Sequence, residues 1–375
     1  MFTRHGTSRF LFNLTGAYKM PLHISCAACI VGHVLYSLAF RTRYLYLILI
    51  GRIVTGSGFA MFMYCKRYCS DPRIVGIRRR TTLAGFLVMG QGIGMTAGPF
   101  LGGALYKIGF RNPIFNGYTT PGWIMACVWG IFWICITLWY EDVPRDRDFL
   151  PPSVASGETA SQLHIEETTE VSNPEPFSLT LPQIGVIICM CWFAMTCFLI
   201  LGAWESNIPV FGASARQLQW SPFASGNFIA LGGITAFPFL VMNIFVARRI
   251  EDRRILAFGT TLGLSALFIF LALLQTNKLS YGSVFICWWA VALGFNMATT
   301  VSVSLLSKQL PPSWNNKTSL MIQYSMYAGR VTGAILGGSG VRIGMRTYVG
   351  VEIVVAGIGA VLYTVLWREL KTKRG

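Results

Sequence analysis

The 375-residue chain is 53% hydrophobic and 12% charged, with mean hydropathy +0.53 and a formal net charge of +16. A soluble globular chain carries roughly 25% charged residues, so this composition excludes an ordinary soluble domain and points to an all-α, polytopic membrane protein. The positive charge is not a nucleic-acid signal, because its Lys and Arg are spread through short loops between apolar runs, as in cytoplasmic loops of membrane proteins.

Ten apolar spans follow in chain order, each near the ~20 residues that cross a hydrocarbon core. They cover residues 22–40, 44–64, 83–106, 118–140, 184–204, 227–246, 255–274, 281–306, 320–341 and 348–367. The one long polar stretch, residues 141–178, is rich in Pro, Ser, Thr and acid and reads as a disordered linker. It separates an amino-terminal part, residues 1–140, with four spans and the tail of a fifth, from a six-span carboxyl-terminal half, residues 179–375. Basic residues concentrate in alternate loops, so both termini and the linker are expected in the cytoplasm.

Most of the cysteines lie inside apolar runs, where they act as small hydrophobes. Cys26 and Cys29 spell C-x-x-C within a span, which argues against a redox or zinc role. The four His are scattered and no Ser-His-acid or nucleotide-binding pattern occurs. Neither enzymatic activity, nor a cofactor, nor a metal is expected, and no cleavable signal peptide is visible. The sequons at Asn13 and Asn316 fall on the cytoplasmic side and are expected to stay unmodified.

An ungapped internal repeat joins "GMTAGPFLGGALYKIGFR" (from Gly94) to "GRVTGAILGGSGVRIGMR" (from Gly329). Gly94, Gly98, Gly102, Gly103 and Gly109 match Gly329, Gly333, Gly337, Gly338 and Gly344. Repeated halves are a common plan of secondary transporters, with substrate bound between them near the midplane. Moved back by the repeat offset, span 227–246 would begin before residue 1, so the first half lacks counterparts for two helices of the second.

Glycine and proline are poor helix formers, yet Gly85, Gly94, Gly98, Pro99, Gly102 and Gly103 sit inside one span. Glycines four apart share a helix face and admit a close neighbour, and Pro99 removes a backbone hydrogen bond. The pattern G-x8-G-x3-G-P-x2-G-G resembles the fifth-helix antiporter motif of the major facilitator superfamily. Arg52, Gly56 and Gly58 in "GRIVTGSG" are similar to the superfamily's fourth-helix pattern. That resemblance implies a link of Arg52 to proton coupling; an Arg snorkelling to the interface is the alternative. The loop signature after the second helix is degraded to "GAYKMPL", while its second-half echo "ARRIEDRRIL" keeps its charges.

"NGYTTP" (from Asn116), "GAWES" (from Gly202), "LLSKQLPP" and "YAGRVTGAILGG" resemble the ceroid-lipofuscinosis neuronal protein 7 family, also called major facilitator domain-containing protein 8. The resemblance implies a lysosomal or other endomembrane protein that transports a small molecule or ion, or conducts anions.

Intramembrane polar residues are functional candidates by default. Glu205, Arg330 and Gln91 join Arg52 on that basis, with an internal Glu–Arg pair as the alternative; Glu352 reads as structural. Arg52 and Glu205 are expected to face the cavity between the halves. The leading expectation is a secondary transporter working by alternating access, with Arg52 or Glu205 as coupling candidates. An anion channel lined by Arg52 and Arg330, or a non-transporting truncated isoform, are the alternatives. In the superfamily eight helices line the cavity, and two would be absent here, leaving it open to one side. The face around Gly94 and Gly98 is expected against span 227–246, and that around Gly333 and Gly337 against an absent helix.

Overall fold

The computed structural model describes residues 18–58, 61, 64–65, 68, 77–109, 112, 114–140, 179–246, 250–310 and 315–371. Each of the ten expected spans is a helix. They are α1 (Lys19–Thr42), α2 (Tyr46–Gly58), α3 (Ile77–Ile108), α4 (Thr120–Trp139) and α5 (Leu181–Ser214), then α6 (Pro222–Val246), α7 (Asp252–Thr276), α8 (Tyr281–Gln309), α9 (Asn315–Ile343) and α10 (Met345–Val365). No strand occurs among the described residues. Seven helices, α1, α4, α5, α6, α7, α8 and α10, are long and apolar enough to cross a membrane by length and composition alone. An all-α fold suits a bilayer, because each helix satisfies its backbone donors and acceptors internally. The linker, residues 141–178, and Asn13 lie outside the described residues.

Local chemistry sets the helix ends. At the start of α5 the Thr180 N–H donates to Gln183 Oε1 at 3.0 Å, and Pro182 occupies the first turn, where its missing N–H costs nothing. At α8, Ser280 and Ser283 cap each other, N–H to Oγ, at 3.0 and 3.2 Å. "NGYTTP" turns out to be a start device for α4. The Asn116 side chain accepts from the N–H groups of Tyr118 and Thr119 at 2.9 and 3.1 Å, and the Thr120 hydroxyl donates to the Asn116 carbonyl at 2.7 Å. The repeat is obeyed where α3 and α9 stop. Ile108 and Ile343 are followed by Gly109 and Gly344, with φ of 58° and 92°, a left-handed stop that suits glycine.

Two compact units form. One holds the described residues of Met1–Gln91 and Ile108–Phe177; the other holds Gly92–Lys107 and those of Ser178–Gly375. In the first, α1 and α2 meet where Gly32 and Gly51 each face the other's carbonyl, and a Cβ on either would lie 2.6–2.7 Å from it. The α1–α4 contact is made at Gly122, set against Ser37 and Tyr36. In the second unit, α7 and α8 repeat the device with Gly259 and Gly294, and the buried core gathers Phe193, Trp204, Phe270, Trp288 and Phe295.

The two glycine stripes depart from expectation. Gly329, Gly333 and Gly337 of α9 do not await an absent helix. They lie directly on α5, where a Cβ would strike the carbonyls of Met195, Leu199 and Ala203. The matching stripe, Gly94, Gly98 and Gly102 of α3, has no described residue within 4 Å of where a Cβ would stand, so it does not pack on α6. The face of α3 that does meet α6 carries Gly92, Thr96, Pro99 and Gly103, against Phe237, Gly233, Gly226 and Phe223 respectively. At 100° per residue the two faces point roughly 120° apart around the helix. Of the glycine-proline pattern, Pro99 and Gly103 therefore face α6, while Gly94 and Gly98 do not.

Candidate functional site

Polar side chains of the second unit converge on one turn of α5. The helix expected to end at Trp204 continues to Ser214, and Glu205 and Asn207 in that extension both bond to other helices. Gly202 has no side chain, and a Cβ there would stand 3.2 Å from the Arg330 carbonyl and 3.3 Å from its Cδ, so α9 crosses close. This closeness brings Arg330 onto Glu205. Their contact is bidentate: Nη1 donates to Oε1 at 3.2 Å, and Nη2 donates to Oε2. A forked pair of this kind fixes direction as well as charge. Both side chains keep partial exposure, 26% for Glu205 and 35% for Arg330.

One residue back, Trp204 Nε1 donates to Glu352 Oε2 of α10 at 2.9 Å. Two residues on, buried Asn207 donates from Nδ2 to the Gly337 carbonyl at 3.0 Å. Thus Gly202, Trp204, Glu205 and Asn207 tie α5 to α9 and α10 within about one and a half turns. Pro209 follows within the same helix. Having no N–H, it leaves the Glu205 carbonyl without its usual i→i−4 partner. The ladder of α5 is therefore interrupted at the residue that carries the ion pair.

Of the residues singled out in the sequence, Glu205 and Arg330 are brought together, as the internal-pair alternative had it. Arg52 belongs to the other unit. Its side chain is exposed on α2, with the guanidinium 5.2 Å from the centre of the Tyr36 ring, and His33 lies within reach of its charge. Gln91 and Gly85 lie in α3, but their side-chain surroundings are outside the described residues. The contributions of Asn207, Trp204 and Tyr36 were not anticipated. A Trp and an Asn flanking an intramembrane Glu, all at one helix end, were the available signal.

Glu251 and Arg253, from "RRIEDRRIL", form a second polar centre outside the expected spans. Arg253 Nε donates to Glu251 Oε2 at 2.6 Å, and its guanidinium lies 4.5 Å from the centre of the Trp367 ring. The Tyr363 hydroxyl donates to the Arg253 carbonyl at 2.6 Å. Glu251 is held below the usual carboxylate range, first by that Arg253 hydrogen bond and then by the charges of Arg253, Arg254 and Lys371, against a smaller opposing desolvation. The charges kept in this loop therefore fasten the start of α7 to the end of α10.

Ten apolar helices, a repeated glycine helix that ends in the same way in both copies, and an ion pair between the first and fifth helices of the second half describe a transporter fold. The sequence profile of the Major Facilitator Superfamily matches residues 10–325. The chain belongs to the Major Facilitator Superfamily. Among its curated relatives, the Schizosaccharomyces pombe protein named Uncharacterized MFS-type transporter C613.02 is 31% identical over 361 residues, covering 96% of this chain and 69% of the relative. Among solved structures, an inward-facing, unoccupied bacterial homologue of the human lysosomal transporter Spinster superposes with a TM-score of 0.67 at 13% identity, over 98% of this chain and 87% of that one. A POT family transporter in complex with 5-aminolevulinic acid also gives 0.67, at 11% identity over 95% and 82%. At such identities the structures attest the superfamily fold alone. Membership places the chain among multi-pass membrane transporters and points away from enzymes.

Proposed function

We propose that the chain acts as a secondary transporter by alternating access, with Glu205 and Arg330 as its central substrate- or coupling-ion-responsive pair. The observation that carries this reading is the bidentate, half-buried pair at the interrupted turn of α5. A charge pair in that setting can be opened by a competing ion, which a fully buried pair resists. The channel alternative draws less support, because Arg330 is neutralised by Glu205 and offers little net charge to a passing anion. Its one favourable observation is Arg52, which is exposed and forms no ion pair among the described residues. In cell membranes, saturable flux that shows countertransport and is lost in Glu205→Gln, with membrane insertion intact, is the expected outcome. An unsaturating, anion-selective conductance would refute the transporter reading.

The bare stripe of Gly94, Gly98 and Gly102 supports the further reading that the first half is completed by another helix. The equivalent stripe in the second half is covered by α5, the first helix of that half. Such a chain is silent when reconstituted without a partner, and robust flux from the purified 375 residues would overturn this. The resemblance of "GAWES" and "YAGRVTGAILGG" to the neuronal ceroid-lipofuscinosis branch supports a lysosomal or other endomembrane site. The charge bias of the loops supports a cytoplasmic linker and carboxyl terminus. A cysteine introduced into residues 141–178 is expected to label from the cytoplasm in sealed vesicles; labelling only from the lumen would reverse the topology.

A further inference from the structure

Glu352 is buried completely in the second unit, yet it forms no ion pair among the described residues. It lies on α10, packed against α5, α7 and α9. Its Oε2 accepts one hydrogen bond, from Trp204 Nε1 at 2.9 Å, and its Oε1 has no partner. Of the surrounding groups, α5 presents Trp204, which is not titratable, and α10 itself presents Tyr348 one turn away. From α7, Phe270 rests on the Trp204 ring at 4.9 Å, and among the described residues no ion pair reaches the carboxyl from α9. The Tyr348 hydroxyl is also buried, close to Glu352, and without a well-formed hydrogen bond.

A carboxylate offers about four acceptor positions, and here the Trp204 N–H fills one, with the Tyr348 hydroxyl beside the other oxygen and no cation paired among the described residues, inside a fully buried site. A buried charge of this kind is far costlier than its neutral acid. The Tyr348 hydroxyl can pair Oε1 in either state, as donor to a carboxylate or acceptor from an acid, but only the neutral acid removes the uncompensated charge. A proton on Oε1 is a donor, and the Tyr348 oxygen beside it is an acceptor.

We infer that Glu352 is a proton-binding site, holding its proton on Oε1 between Trp204 and Tyr348 while α5 and α10 are packed as described. Release hands the proton to water and leaves a carboxylate, so it requires water to reach Oε1 and hence α5 to part from α10. Trp204 and Glu205 are neighbours on α5 and point about 100° apart, one toward the Glu352 site and the other toward the Arg330 pair. Movement of this single turn therefore acts on both. That link to movement rests on the transport reading; the protonation of Glu352 does not.

Infrared spectroscopy of the protein in proteoliposomes at neutral pH tests this without any substrate. The expected spectrum has a carbonyl stretch of a protonated carboxylic acid that exchanges slowly in D2O and is lost in Glu352→Gln. In Trp204→Phe, which keeps the carboxyl and removes its donor, the same band is expected to shift. Absence of a protonated-carboxyl band in the wild-type protein would overturn the inference. So would a band that persists unchanged in Glu352→Gln, or one that is indifferent to Trp204→Phe, which decides the matter if the glutamine variant does not fold. A protonated Glu352 in a protein with no flux would leave the proton site standing and remove only the transport reading.

Discussion

Gly333→Ala is expected to destabilise the protein clearly, whereas Gly98→Ala, at the matching position of the repeat, is expected to be neutral or stabilising in the same chain. The added methyl at Gly333 meets the Leu199 carbonyl of α5, a backbone atom that cannot swing aside. Overpacking of this kind costs about 1–3 kcal/mol and outweighs the helix-propensity gain of up to ~1 kcal/mol for replacing glycine with alanine. At Gly98 no described residue lies within 4 Å, so the propensity gain acts alone. Thermal unfolding in detergent reads both changes. Equal losses at the two positions would show that the stripe on α3 is covered as fully as the stripe on α9. Loss of flux by Gly98→Ala in cell membranes, with stability of the isolated chain unchanged, is the result expected if a further helix seats there.

The second large effect is expected at the Glu205–Arg330 pair. Arg330→Ala leaves a half-buried carboxylate facing the space its partner filled, and Glu205→Ala leaves a guanidinium in the same position. Hydrogen bonds to charged groups contribute roughly 1.5–3 kcal/mol each, and the partial exposure of both side chains brings the expected loss for either variant to about 1–3 kcal/mol. The neutral combination Glu205→Gln with Arg330→Met removes both charges together and is expected to recover most of that stability while remaining without flux. A double-mutant cycle measures the coupling directly, and strict additivity would mean that the pair contributes nothing to the fold. Recovery of flux by the neutral combination would remove the pair from the transport mechanism.

The ten helices and their order were written in the chain, because apolar run length, Thr180, Ser280 and the terminating glycines act over a few residues. The repeat was legible for the same reason, down to the matched stops at Gly109 and Gly344. Membership of the superfamily followed from the same local patterns. What the residues could not state was direction around each helix. Gly94, Gly98 and Gly102 look like a packing face whether or not anything packs there, and the true α6 contact uses Thr96, Pro99 and Gly103. The pairing of Glu205 with Arg330, like that of Trp204 with Glu352, joins positions more than a hundred residues apart. In an apolar medium every helix face is comfortable, so hydrophobicity leaves azimuth and partner open. Close backbone approach at glycine, and the high cost of an unpartnered polar group, settle them once the helices assemble.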